Sequence, residues 1–138
     1  MKFTKKLINE SNYHEEYNNF NFIVKATSSK NTYIIDKNGI LMIITDNIND
    51  IDENLPENIY PKYKEVYVAI DSSEEDSFEQ LYEVATKIGY SEFEKKINKL
   101  FDSTINVVNK RERPQLLEIR NDIIKRLMNK RFSFYVMK

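Results

Sequence analysis

The sequence predicts one α+β domain, a mainly antiparallel sheet of about four to five strands packed by three or four helices. Three observations predict it. Apolar residues alternate with period two before residue 71 and again at the C-terminal end. Stripes of helical period fill the stretch between Ser73 and Met128. An Asn-Gly pair between two β-branched runs marks a tight hairpin. A length of 138 residues with 41% apolar composition builds one core without metals or disulfides, so residues 1–138 are read as a single domain.

The elements follow in chain order. The first twenty residues read as helix, because Tyr13, Tyr17 and Phe20 recur at helical spacing and Ser11 can cap a short segment. Phe20 to Ala26 alternates as a strand, with Phe20, Phe22, Val24 and Ala26 on one face. Thr32–Lys37, Asn38-Gly39 and Ile40–Thr45 form the hairpin, since Asn-Gly supplies the two positive-φ residues of a type I′ turn. Placing Lys37 opposite Ile40 sets Ile35 against Met42 and Ile34 against Ile43. The second strand is apolar on both faces and therefore belongs in the middle of the sheet. Asp46 to Lys62 is a polar connection punctuated by Pro56 and Pro61, and Glu65–Ile70 is a strand of high β-propensity.

Ser73 with Asp76 caps a helix whose apolar stripe is Phe78, Leu81, Tyr82, Ala85 and Ile88, with Gly89 at its C-terminal cap. Ser91 with Glu94 opens a second helix that turns Phe93, Ile97, Leu100 and Phe101 inward. Ser103–Asn109 fits either a strand or more helix. Pro114 suits the first turn of a last helix that buries Leu116, Leu117, Ile119, Ile123, Ile124, Leu127 and Met128. Phe132, Phe134 and Val136 alternate as a closing strand.

Charge is sorted along the chain. Residues 1–93 carry 9 Lys/Arg against 17 Asp/Glu, a formal −8, and residues 94–138 carry 12 against 5, a formal +7. The overall −1 therefore conceals an acidic part and a basic part, a distribution that points to a charged macromolecular partner.

Several classes of chemistry are excluded. Cysteine is absent, which removes thiol nucleophiles and zinc knuckles. The 2 glycines, Gly39 and Gly89, lie too far apart to make a phosphate-cradling loop. The 1 histidine, His14, sits in a polar stretch beside Glu15 and Glu16. No paired-carboxylate site is readable, so neither a catalytic residue nor a cofactor is assigned. No apolar run approaches the roughly 18 residues of a membrane span, and the expected location is the cytoplasm.

The candidate sites are clusters of charge. Asp46, Asp50, Asp52, Glu53 and Glu57 crowd the connection after the hairpin. Asp50, Asp52 and Asn54 match positions of a calcium loop, but Leu55 replaces its glycine and Pro61 its bidentate glutamate, so no metal is assigned. Asp71, Glu74, Glu75, Asp76 and Glu79 form a second acidic cluster, in which carboxylates of a first helical turn are stabilised by the helix dipole. The basic cluster comprises Lys110, Arg111, Arg113, Arg120, Lys125, Arg126, Lys130 and Arg131. Ala85–Ser91 resembles the turn of a helix-turn-helix DNA reader. Lys95 stands where that motif needs an apolar residue, and an ordinary helix–helix corner serves as well.

These features predict a small cytoplasmic binding or inhibitor protein without catalytic activity, of the immunity, antitoxin-like or phage anti-defence type, engaging a protein with a basic surface through its carboxylates. One alternative is a nucleic-acid-binding regulator using Lys110 to Arg131. Another is a phage or mobile-element structural subunit assembling head to tail through opposite charges.

Overall fold

The computed structural model describes residues 5–7, 13–19, 22–26, 32–49, 51, 62–81, 83, 85–129 and 131–137. Among the described residues, eight strands form one sheet: β1 (Lys5–Leu7), β2 (Tyr13–Asn19), β3 (Phe22–Ala26), β4 (Tyr33–Lys37), β5 (Ile40–Thr45), β6 (Glu65–Asp71), β7 (Ala85–Ile88) and β8 (Phe132–Met137). Their order is β1-β2-β3-β4-β5-β6-β8-β7, and only β5 and β6 run parallel. Helix α1 (Glu75–Leu81) follows a 3-10 turn over Ser72–Glu74, and α2 (Tyr90–Ile105) and α3 (Arg113–Asn129) separate β7 from β8. The class is α+β with a mainly antiparallel sheet, as the patterning predicts.

The hairpin has the expected register: Lys37 faces Ile40, Ile35 faces Met42 and Ile34 faces Ile43. Asn38 and Gly39 adopt φ of 49° and 81°, the left-handed pair that lets a two-residue turn follow the twist of its strands. The carbonyl of Gly39 accepts the Lys64 N–H at 2.7 Å, which fixes the entry of β6 beside β5.

Both faces of the central strands β5 and β6 are covered, which explains why they are apolar throughout. Ile35, Met42, Ile44, Tyr67, Ala69 and Phe134 meet Phe93, Ile97 and Phe101 of α2 and Leu116, Ile123 and Leu127 of α3. On the opposite face, Ile43, Val66, Val68, Ile70 and Tyr135 meet Phe78 of α1 and the buried Ile51. Each fully buried Val, Leu, Ile, Phe or Met among them contributes roughly 1.5–3 kcal/mol on burial.

Four expectations are corrected. Residues 13–19 are a strand, not a helix: Tyr13 and Tyr17 are spaced by four, which satisfies period two as well as 3.6. The helix expected from Ser73 to Ile88 ends at Leu81, and Ala85–Ile88 is strand β7, paired to β8. That removes both the helix-turn-helix resemblance and the helix–helix corner. Gly89 consequently begins α2 as its N-cap, in place of Ser91 and without a side-chain cap. Met128 is 68% exposed, not buried.

Candidate functional site

Asp71, the last residue of β6, accepts the Ser73 N–H at 2.9 Å and the Ser73 hydroxyl at 2.8 Å, and so caps the turn that leads into α1. This places the predicted acidic cluster on the sheet face opposite α2 and α3. Glu74, Glu75 and Asp76 differ in their surroundings. Glu75 is structural: Oε1 accepts from Lys87 Nζ and from the Tyr135 hydroxyl, both at 2.8 Å, and Oε2 accepts from the Ser133 hydroxyl at 3.0 Å. The Lys87 bond, followed by those of Tyr135 and Ser133, holds the Glu75 carboxyl down at about 2. Burial, reinforced by Glu75, raises the Tyr135 hydroxyl in turn. Glu74 is half-buried, whereas Asp76 is exposed, as are Glu79 and Glu83 further on. Among the described residues, none of these four forms an ion pair. Glu79 and Glu83 line a groove of about 370 Å³ with Ala85, Lys87 and Tyr135.

Asp46 belongs to a different environment, at the carboxyl end of β5. The parallel register pairs Thr45 with Ile70, which makes Asp46 and Asp71 neighbours one step further along the two strands. Asp46 lies 3.7 Å from Arg126 of α3, so one residue of the acidic list and one of the basic list bind each other. The Arg126 guanidinium sits over the rings of Tyr33 and Phe132 at 5.9 and 5.4 Å. Burial lowers its pKa, opposed chiefly by Asp46. Asp50, Asp52, Glu53 and Glu57 lie outside the described residues.

The basic cluster does not form one stripe. Lys110, Arg111 and Arg113 are exposed in the turn before α3 and at its first residue. Arg120 folds back to Asp102 of α2 at 3.3 Å, and Arg126 is half-buried and paired with Asp46 as described. Lys125 and Arg131 are exposed, but Glu118 and Asp122 lie exposed on α3 between them and the turn. Asp122 accepts the Tyr33 hydroxyl at 2.6 Å. Lys130 lies outside the described residues.

Two further clefts were not legible in the sequence. Ser72, Tyr90, Leu127, Met128, Arg131, Phe132 and Phe134 enclose about 530 Å³ at one end of the sheet. At the other end, Lys37, Lys96 and Lys99 face a smaller cleft of about 180 Å³ beside Glu65. Lys37 donates to the hydroxyls of Ser103 and Thr104 at 2.7 and 2.5 Å, and burial lowers its pKa. Lys96 donates to Glu65 at 3.1 Å. These lysines are 59 or more residues apart in sequence from Lys37, and only the packing of α2 over the hairpin end unites them. Among the described residues, no group of three His, Cys, Asp or Glu side chains is placed to hold a metal ion. No helix of the described residues is long and apolar enough to cross a membrane. Comparison with protein-family models, with curated proteins and with solved structures returns no match to this chain.

Proposed function

We propose that this chain is a small binding protein of the inhibitor type, as in immunity, antitoxin-like or phage anti-defence proteins, which occupies a macromolecular partner bearing a basic surface. The observation that carries the reading is the placement of unpaired charge. Asp76, Glu79 and Glu83 stand exposed on and after α1, while the exposed basic turn of Lys110, Arg111 and Arg113 belongs to the helices on the other face of the sheet. Carboxylates arranged this way steer a cationic partner to one side of the molecule and raise its association rate, at little cost in stability when they are replaced. The interruption of the α3 stripe by Glu118 and Asp122 favours this reading over nucleic-acid binding, because exposed carboxylates among the cations repel a phosphate backbone.

The test compares wild type with Asp76→Asn/Glu79→Gln/Glu83→Gln as baits in the native host's lysate at ~50 mM salt, with a melting curve for each bait. Both baits are expected to melt within a few degrees of each other, and the wild type alone is expected to retain a basic protein. Retention of the same proteins by both baits would overturn the proposal.

A further inference from the structure

Strand β7 ends the sheet. It is paired to β8 on one side only among the described residues, from Ala85 opposite Met137 to Ile88 opposite Phe134. Among the described residues, no backbone hydrogen bond reaches its outer side. An open ladder of this kind is a template for another strand, and proteins usually blunt it with an outward lysine. Here the only lysine on the strand, Lys87, stays solvent-exposed but is turned along the α1 face of the sheet toward β8, since its Nζ is held at 2.8 Å by Glu75, which also binds Ser133 and Tyr135. The edge is also bordered by the groove of about 370 Å³ that Glu79 and Glu83 line with Ala85, Lys87 and Tyr135.

We infer that β7 accepts an extended, basic segment of the partner as an additional strand, an inference that rests on the acidic-face reading above and supplies its binding mode. An added strand runs about 4.8 Å from β7 and directs alternate side chains to opposite faces. Those on the α1 side emerge beside Ala85 and Lys87, where lysine or arginine stems reach Glu79 and Glu83. Those on the other side emerge beside Thr86 and Ile88. Ile88 packs against the core under α2, so that side takes β-branched or other apolar residues. The segment recognised therefore alternates basic with apolar residues. A second copy of this chain fits less well. Two-fold antiparallel pairing of β7 with itself places both acidic grooves on the same side of the joined sheet, like charge beside like charge.

The test uses two synthetic peptides of equal length and charge: one alternating Lys with Val, the other the same sequence with every backbone nitrogen methylated, which lacks the N–H groups that a ladder needs. Binding is measured by titration, and amide hydrogen exchange of β7 is followed in the complex. The Lys-Val peptide is expected to bind about tenfold or more tighter than its N-methylated counterpart, to slow exchange at β7, and to lose affinity in Glu79→Gln/Glu83→Gln. Equal affinity of the two peptides, lost in the same variant, overturns strand addition but leaves the acidic face as a binding surface. Binding of neither peptide, or binding that leaves β7 exchange unchanged, overturns strand addition, and the lysate comparison above then decides the acidic face separately. A dimer whose β7 amides are already protected without peptide assigns the edge to a second copy and overturns the proposal.

Discussion

Arg126 and Asp46 are joined at 3.7 Å without a hydrogen bond between them, and Nε, Nη1 and Nη2 of Arg126 are all buried with no acceptor. The side chain is 13% exposed, so its charge is desolvated and repaid mainly by Coulombic attraction and by the Tyr33 and Phe132 rings. This pair ties the carboxyl end of β5 to α3.

The two partners are expected to respond unequally to replacement. Arginine cannot shed its proton, so Asp46→Asn leaves a buried cation without its nearest carboxylate and should destabilise by about 2–4 kcal/mol. Arg126→Met places an apolar chain of similar length between the same two rings and should cost about 1 kcal/mol or less. Urea denaturation of both variants measures the difference. A greater loss for Arg126→Met than for Asp46→Asn would show that the guanidinium, not the relief of its charge, holds this end of the sheet.

Glu75 makes stability depend on acid. Its folded pKa is depressed to about 2 from an ordinary value of 4.5, chiefly by the bond from Lys87 and then by those from Tyr135 and Ser133. A depressed carboxyl stabilises the fold fully above the unfolded value and loses that contribution as pH falls toward the folded one. Glu75→Gln should therefore be about 1–3 kcal/mol less stable than wild type at neutral pH, mostly through the bonds to Tyr135 and Ser133, because the solvated Lys87 contact adds little. The gap should narrow between pH 4.5 and 2. Denaturation midpoints across that range test it, and a gap independent of pH would assign the loss to packing.

The elements that were legible in the sequence are those whose signal is local. Asn38-Gly39 sets the turn and the register of β4 and β5, and the inward faces of α2 (Phe93, Ile97, Leu100 and Phe101) follow from spacing alone. What was missed depends on distant partners. Ala85-Thr86-Lys87-Ile88 has no strand signature of its own and extends because β8, 45 or more residues later, offers Phe134 to Met137. The same holds for the site: no spacing rule distinguishes Glu75, consumed by Tyr135, from Asp76, left in solvent. Charge counting found the clusters, but the tertiary fold decides which members are free.

The start of α2 is the clearest place where the fold can be improved. Gly89 is its N-cap at φ −81° and ψ 161°, ordinary extended backbone, and no side chain caps the first turn. A Cβ built there meets nothing within 4 Å. Glu92 occupies the third helical position, so Gly89→Ser creates a Ser-x-x-Glu capping box: the hydroxyl accepts the Glu92 N–H while the Glu92 carboxylate reaches back to the backbone N–H of residue 89. Removing the glycine also reduces the entropy of the unfolded chain. Gly89→Ser is therefore expected to stabilise by about 0.5–1.5 kcal/mol, raising the melting temperature by a few degrees. Gly89→Ala shares the entropic gain but lacks the oxygen, and it should fall about 1 kcal/mol below the serine variant. Thermal melts of the three proteins separate the two effects. Equal stabilisation by alanine and serine would mean that the first turn of α2 gains nothing from a cap, and that the helix is held by Phe93 and Ile97 in the core.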